Sequence, residues 1–465
     1  MSTPLAEVTP LRLNKSTIAR VRHWSRHVLG LDRAVGFTVL ARFWASSAGL
    51  VTVALIAHFL SPAEQGYYYT FGSLVAMQMV FELGFSFVIL QLASHERARL
   101  SISGNYDITG DTVAHARLAS VIQKSVQWYS VAAVFLAATL LPAGLYFFHT
   151  HQHGQVVSWL LPWCLDALMA VTNFQLDPLL SFLEGCGYVA NVARLRFMQS
   201  VTGSVLAWIA LISHHGLFAP SMMLFGMASC SMVWLWTKRK LLLGLLWFNA
   251  GNNRLRWNEE VWPFQWRIAV SWFCGYFIFW LFNPVLFAYR GAVEAGRMGM
   301  SLSLANAILN IAVSWVSTKS APFGTLIARK EYERLDQIFF RALWQSTAVS
   351  VAGGLMAWLG TIFLNAQNIR FAQRLLDPNS IAMLMVYMVA NVIIFAQAYY
   401  LRAHKQEVFF VNSLVGAVSV TVCTLVFGRL YGATGIVVSC CIGNVLGLVW
   451  ATYKFRKYRD LWHAA

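Results

Sequence analysis

Long apolar stretches alternate with short polar stretches along most of the chain. A helix crosses a bilayer core of about 30 Å with roughly 20 apolar residues, so each long stretch predicts one membrane-spanning helix. The pattern predicts twelve spans, numbered here in chain order, at about 37–60, 67–93, 121–148, 157–183, 188–212, 217–237, 264–288, 298–323, 339–364, 380–401, 408–427 and 434–453.

The composition agrees with this pattern. The 465 residues are 58% hydrophobic and 12% charged, whereas soluble domains are about 45–50% apolar and about 25% charged. Soluble, disordered and collagen-like classes are therefore excluded. The seven cysteines contain no CxxC spacing, so they predict packing rather than a zinc or redox site.

Basic residues predict the orientation of the chain. With a cytoplasmic N-terminus, 27 of the 35 Lys and Arg residues flank the cytoplasmic ends of the spans, and 5 lie in the opposite loops. Cytoplasmic loops are enriched in Lys and Arg, so both termini are predicted to be cytoplasmic. This bias explains the net charge of +16 without a nucleic-acid partner.

The predicted spans divide into two halves. Arg42 in ARFWASSAG and Arg267 in QWRIAVSWFCG begin spans 1 and 7 in a similar way, as in repeat-built transporters whose substrate site lies between the repeats. We therefore predict an all-α polytopic membrane protein with two pseudo-symmetric six-helix lobes around a central cavity. The predicted regions are a basic segment 1–36, an N-lobe 37–237, a cytoplasmic linker 238–263, a C-lobe 264–453 and a basic tail 454–465. Within the first segment, residues 17–33 have a narrow apolar face, which predicts an interfacial helix or, alternatively, a disordered basic tail.

Motifs for covalent chemistry are weak. GCGYVA at 185–190 follows a predicted membrane helix rather than a strand, and GTLIARK at 324–330 lacks the second glycine of a phosphate loop. The histidines of HTHQH have no accompanying carboxylate or cysteine, so a solvated loop is favoured over a metal site. We expect neither an enzyme nor a bound metal.

Three cations lie near the predicted inner ends of spans 1, 7 and 8. Arg42, Arg267 and Lys319 are about 5 to 8 Å inside those ends at 1.5 Å per residue. Charges in a membrane usually mark a cavity or a pathway, so these residues predict a cationic vestibule at the cytoplasmic mouth. The alternative is snorkelling of long side chains to the headgroups.

Carboxylates and amides are the other intramembrane polar groups. Glu82 and Asp166 lie near the predicted midplane and Asp177 lies nearer the inner side. Burial disfavours a charged carboxylate, so these acids are predicted to bind and release a coupling ion, unless Glu82 simply pairs with Arg42. Amides within spans predict either a polar cavity lining or interhelical contacts, and the predicted cavity residues are Gln78, Asn283 and Asn306.

Four stretches of this sequence resemble those of bacterial polysaccharide exporters. In the first half they are RFWASSAGLVTVALIAHFLSPAEQGYYYT followed by FELGFSFVILQLAS, and in the second half WPFQWRIAVSWFCGYF and VEAGRMGMSLSL. These exporters are lipid-linked O-antigen repeat-unit flippases of the multidrug/oligosaccharidyl-lipid/polysaccharide exporter superfamily. The resemblance implies a V-shaped bundle in the bacterial inner membrane. Such a bundle would move undecaprenyl-pyrophosphate-linked oligosaccharides for O-antigen or exopolysaccharide assembly, driven by a proton or sodium gradient without a cofactor. It also implies membrane lipids and polysaccharide assembly proteins as partners. The positions able to make the cavity basic, and so to bind the pyrophosphate, are Arg42, Arg267 and Lys319.

Two other functions remain open at this stage. A multidrug exporter of the same superfamily typically has a carboxylate in its first span, where this chain has Arg42. A membrane polysaccharide polymerase or ligase typically has a large extracytoplasmic loop, whereas no predicted outer loop exceeds about fifteen residues. Both observations favour the flippase.

Overall fold

The computed structural model describes residues 33–102, 107–152, 154, 157–249, 251, 254–404 and 408–463. The predicted interfacial helix at 17–33 therefore lies, except for its last residue, outside the described residues. Sixteen α-helices account for most of the described chain: α1 Arg33–Phe59, α2 Pro62–Val75, α3 Gln78–Glu82, α4 Phe85–Arg97, α5 Thr112–Thr150, α6 Leu160–Leu183, α7 Val189–Ile212, α8 Ala219–Thr237, α9 Arg239–Leu246, α10 Trp262–Phe279, α11 Phe282–Arg290, α12 Ala292–Ser317, α13 Ser320–Ala328, α14 Tyr332–Ala366, α15 Pro378–Ala403 and α16 Phe410–His463.

The described helices provide twelve membrane crossings. Nine are long and apolar enough to span a bilayer, and two of these, Leu160–Ile212 and Phe410–His463, have 53 and 54 residues, enough for two crossings each. Both are bent at a glycine in the left-handed region, Gly187 with φ 98° and Gly432 with φ 66°. The broken pair Pro62–Glu82 and Phe85–Arg97, bent by 44°, supplies the twelfth crossing. The all-α, twelve-span prediction is confirmed.

Each half of the chain packs as one lobe. In the first half α7 packs against α1 and α8, and α6 packs against α5 and α8; in the second half α15 packs against α14 and α16. The lobes meet mainly where α2 packs against α12, with smaller contacts of α12 with α1 and of α10 with α3. We call the end of the bundle that contains the start of α1 and the end of α16 the inner end, and the opposite end the outer end.

The segment predicted as a linker, 238–263, contains two helical elements. Amphipathic helix α9 lies against span 3, where Gln123 Nε2 donates to the carbonyls of Leu245 and Phe248 at 3.1 and 2.8 Å. A π-helical turn, Trp257–Val261, then leads into α10. Between α4 and α5 the strands β1 (Leu100–Ile102) and β2 (Ile108–Gly110) form an antiparallel hairpin with Leu100 opposite Gly110. The sequence predicted neither α9 nor the hairpin.

Lys319 lies in a turn, so its predicted place inside a helix is wrong, although the apolar span Ala292–Gly324 includes it. Helix α12 ends at Ser317, and α13 begins at Ser320. Pro322 has no N–H to donate to the carbonyl of Thr318, and its ring disfavours a continuous helix there. Lys319 is exposed in the turn between the two helices.

The orientation of the chain can be tested with reporter fusions. An even number of crossings places both termini at one end of the bundle, and the basic-residue bias predicts that this end is cytoplasmic. We expect fusions after Leu60 and Asn365 to report an extracytoplasmic location, and fusions after Arg256 and Arg456 a cytoplasmic one. One reversed assignment would contradict the twelve-crossing arrangement.

Candidate functional site

A cavity of about 590 Å³ lies between the two lobes. Its walls come from spans 1 and 2 of the first lobe and from spans 7, 8 and 10 of the second. The lining residues are Arg42, Ala45, Ser46, Gly49, Tyr68, Tyr69, Gly72, Ser73, Phe279, Trp280, Phe282, Asn283, Gly299, Leu302, Ser303, Asn306, Ala307, Asn310, Val313, Ser314, Ser317 and Tyr399.

Small residues leave room for this cavity. In spans 1 and 8 they recur four residues apart, as at Ala45 and Gly49 and again at Ser303 and Ala307. Positions four apart lie on one helical face, so each helix has a face of small side chains toward the cavity. A side chain added at Gly49 or at Gly72 would meet no atom within 4 Å, since both glycines border open space.

The polar part of the lining contains one cation and no carboxylate among the described residues. Arg42 donates from its guanidinium to Ser317 Oγ at 2.6 Å, which joins the inner ends of spans 1 and 8. Asn283 Nδ2 donates to Ser73 Oγ at 3.1 Å, joining spans 7 and 2. The amides of Asn306 and Asn310 are exposed. The cavity therefore offers a positive charge, hydroxyl groups, amides and aromatic rings.

The outer end of the cavity is sealed by close packing of α2 on α12. A Cβ added at Gly66 would lie 1.9 Å from the carbonyl oxygen of Ala292, and one at Gly296 would lie 2.9 Å from the amide nitrogen of Gly66. Gln65, which is buried, donates to the carbonyl of Gly296 at 2.8 Å. Arg374 donates to the carbonyl of Leu60 at 2.6 Å, so a second polar contact joins the two lobes. We call the boundary along which the two lobes meet, including the α2–α12 contact, the seam.

The three predicted ion-coupling acids lie in two places. Asp166 is 1% exposed, its Oδ1 has no hydrogen-bond partner in the described structure, and its charge acts on Tyr68, which lines the cavity. Glu82 lies at the end of α3, where its charge interacts with those of Asp177 and Arg196. None of the three acids lines the cavity itself.

The alternative ion pair of Glu82 with Arg42 is wrong. Arg42 bonds to Ser317, and the neighbours of Glu82 come from spans 2, 4 and 5 of its own lobe. Span 2 breaks directly after Glu82, where Leu83 and Gly84 are both left-handed, with φ of 51° and 65°. The break changes the direction of span 2. The order of residues in the sequence does not show this change, so it could not show which helices surround Glu82.

The structure brings together only some of the predicted site residues. Arg42, Asn283 and Asn306 line the cavity, whereas Gln78 and Lys319 are not among its described lining residues. Arg267 lies in the second turn of α10, and its side chain is outside the described structure. Sequence reasoning missed Tyr68, Tyr69, Tyr399 and the serines. Their only signal is the spacing of small and hydroxyl residues along spans 1, 2 and 8, and Tyr399 on span 10 has no such signal.

A charged cluster of Arg117, Glu96 and Glu260 lies at the inner end of the seam. Arg117 at the start of span 3 donates to Glu96 Oε1 at 2.7 Å and to Glu260 Oε1 at 3.3 Å. Glu96 is 3% exposed, whereas Glu260 belongs to the turn that leads into span 7. The cluster therefore links the first lobe to the segment that begins the second.

Replacing Arg117 by Ala is expected to destabilise the protein. The buried Glu96 carboxylate would lose its partner, which we expect to cost about 2 kcal/mol, less than for a fully buried pair because Arg117 is partly exposed. Thermal unfolding in detergent measures this loss. Arg256→Ala is the matched control, because its exposed pair with Glu259 is worth less than about 1 kcal/mol.

The same cluster predicts a pH dependence. The hydrogen bond from Arg117 lowers the pKa of Glu260 below its ordinary value of 4.5. A carboxyl with a lowered pKa stabilises the fold above its unfolded pKa, and this contribution is lost as the pH falls through the folded pKa. The stability difference between wild type and Arg117→Ala should therefore shrink below pH 4.5. An equal difference at pH 7 and at acidic pH would contradict the role of the cluster.

Known protein structures share the fold of this chain, whereas the sequence searches found no match. No protein-family model matches the chain, and no curated protein matches it in sequence. The structure is similar to lipid II flippase MurJ in an inward closed conformation, with a TM-score of 0.61, 14% identity, and coverage of 90% of this chain and 86% of that chain. An outward-facing MATE family multidrug resistance transporter of the MOP superfamily gives a TM-score of 0.59 and 14% identity over 93% of this chain and 96% of that chain. An inward-facing MATE family transporter gives 0.54 and 15% over 96% and 98%.

Proposed function

Because the chain has the fold of MOP superfamily transporters, we propose that it flips a lipid-linked oligosaccharide across the bacterial cytoplasmic membrane for surface polysaccharide assembly. The proposed substrate carries the oligosaccharide on undecaprenyl pyrophosphate. In this proposal both termini are cytoplasmic and the protein works by alternating access of the two lobes, without covalent chemistry. The structural neighbours are transporters, which agrees with a function of this kind.

The observation that supports this substrate most is the chemistry of the cavity. Arg42 supplies a planar guanidinium, which suits a phosphate group because it can donate two parallel hydrogen bonds. Asn306, Asn310 and the serines offer partners for sugar hydroxyls, and Trp280 and the tyrosines offer flat apolar faces. A cavity with one cation and no carboxylate among its described lining residues suits an anionic substrate that carries sugars.

A multidrug exporter is the second candidate, because MATE transporters share the fold over more than nine-tenths of this chain. One of these neighbours is the MATE multidrug transporter DinF-BH. An organic cation in the present cavity would meet Arg42 rather than an acid. Asp166 interacts electrostatically with the lining residue Tyr68, but it is buried and does not line the cavity.

A reconstitution experiment separates the two functions. Proteoliposomes would contain a polyprenyl-pyrophosphate-linked oligosaccharide with a fluorescent sugar, and an external glycosidase would report its appearance in the outer leaflet. We expect protein-dependent cleavage of the oligosaccharide and no uptake of the cationic dye ethidium. Ethidium transport without any cleavage would overturn the flippase proposal in favour of drug export.

We further propose that Asp166 or the Glu82 and Asp177 pair couples transport to an ion gradient. A buried carboxylate without a partner favours its neutral form, so it can take up a proton from the outside and release it to the cytoplasm. That differential binding biases the lobes between two states. The support from the structure is the burial of Asp166, its unpartnered Oδ1 and its electrostatic interaction with Tyr68.

Substitution of the acids tests this coupling. Asp166→Asn and Glu82→Gln imitate the protonated forms with little change of shape, so the variant of the coupling residue should bind substrate yet lose its response to a pH gradient in proteoliposomes. Glu333→Gln, an exposed acid at the inner end, is the matched control. Full gradient-driven transport by both variants would show that the acids are structural.

A further inference from the structure

A second pocket, of about 460 Å³, lies at the inner end of the seam between the lobes. The first lobe contributes Phe85 and Trp128, next to the break in span 2. The segment leading into span 7 contributes Trp257, Asn258 and Trp262. The pocket is separate from the central cavity, with which it shares no lining residue. Its volume lies within the roughly 300–1,000 Å³ of small-molecule sites.

Aromatic rings form most of the pocket wall. The ring of Phe85 contacts that of Trp257 edge-on at 5.4 Å and that of Trp128 at 6.2 Å. Trp128 and Trp262 are 41% and 56% exposed. Single tryptophans are common at the membrane interface, but here three indoles from two lobes converge on one concave site.

Several polar groups at the border of this pocket have no hydrogen-bond partner among the described residues. The indole N–H groups of Trp128, Trp257 and Trp262, and the side-chain amide of Asn258, have no hydrogen-bond partner in the part of the chain that the structure describes. Four polar groups therefore border one apolar pocket. A ligand that rests a flat apolar face on an indole and bonds at its rim would satisfy both features.

The pocket is already formed in this structure. Glu260, within the same turn as Trp257 and Asn258, is held by Arg117 of the first lobe. Gln265 at the other end of the pocket donates from Nε2 to the carbonyl of Leu83 at 2.8 Å. These two interactions fix the turn against the first lobe, so binding requires little ordering of the wall.

We propose that this pocket binds a sugar ring of the lipid-linked oligosaccharide as the substrate enters between the lobes. The identity of the ligand rests on the proposed function. A phospholipid headgroup fits less well, because none of the described lining residues carries a charge to balance a phosphate or an ammonium group. A sugar ring is neutral, has an apolar face for an indole and has hydroxyls for the indole N–H groups and Asn258.

Photolabelling of the full-length protein tests the pocket. The probe is an alkyl glucoside with a diazirine in its chain, used in a detergent that has no sugar headgroup. The matched probe has the same chain and a phosphocholine headgroup. We expect the glucoside to label peptides containing Trp128 or residues 257–265 about tenfold more than the phosphocholine probe, the equivalent of about 1.4 kcal/mol.

Variants assign the labelling to the pocket. Trp257→Ala should reduce glucoside labelling about tenfold, and Asn258→Ala, a change at an exposed side chain that leaves packing intact, should reduce it to a smaller extent. Trp247→Ala is the control, because this indole is 85% exposed in the same segment and lies outside the pocket. Equal labelling by both probes, or labelling unchanged in Trp257→Ala and Asn258→Ala, would overturn the proposal. Specific labelling in a protein that flips no lipid-linked oligosaccharide would instead contradict the proposed function while leaving the sugar site in place.

Discussion

Gly66→Ala is expected to abolish transport while the protein still folds and inserts. The added methyl group would lie 1.9 Å from the carbonyl oxygen of Ala292, a backbone atom that cannot rotate away. Overpacking of this kind costs about 1 to 3 kcal/mol, so the outer seal should be populated about 5- to 150-fold less. The lobes would then remain apart at the outer end, and the inward-facing state that receives substrate would be lost.

Labelling of the cavity from outside measures this effect. In a variant without the seven native cysteines, Asn306→Cys places a thiol in the cavity, and a membrane-impermeant maleimide reports its access from the outer side. We expect labelling to be faster with Gly66→Ala. Gly360→Ala is the matched control, because the added Cβ would meet no atom within 4 Å, and this variant should behave as wild type. Normal transport and slow labelling in Gly66→Ala would show that this seam need not close.

Under the proposed function, Arg42→Ala is expected to stop polysaccharide export with little effect on folding. Arg42 is exposed to the cavity and its described hydrogen bond is to one serine, so its loss leaves no buried charge unpaired. Hydrogen bonds to a charged group are worth about 1.5 to 3 kcal/mol, which predicts about 10- to 100-fold weaker substrate binding. Arg42→Lys should restore only part of the activity, because an ammonium lacks the two-pronged geometry of guanidinium.

Flipping of the fluorescent lipid-linked oligosaccharide in proteoliposomes measures this loss. Arg341→Ala, an exposed arginine at the inner end and outside the cavity, is the matched control for the change in net charge. Wild-type flipping by Arg42→Ala would mean that the guanidinium reaches the headgroups rather than the substrate, and the substrate proposal would lose its main support.

The residues of the cavity show how far the sequence reaches into the site. Arg42, Asn283 and Asn306 were identifiable because a polar group in an apolar span is rare and expensive. Lys319 met the same criterion and lies in a turn, because Pro322 interrupts the helix. Gln78 met it too, but it begins the short helix before the break in span 2. Rarity marks a polar residue as notable and does not say which way it faces.

The sequence by itself determined the all-α membrane class and the twelve crossings, and it predicted the orientation. Each depends on the cost of placing a residue in hydrocarbon, which is a local property that adds up along a segment of about 20 residues. Only the tertiary structure decided that Arg42 meets Ser317, that Gly66 meets Ala292 and that Trp128 and Trp257 share a pocket. Those partners are 129 to 275 residues apart. Their contact depends on how whole helices break and pack against one another. The hydropathy of the sequence does not determine this packing, because it is nearly the same for every arrangement of the same spans.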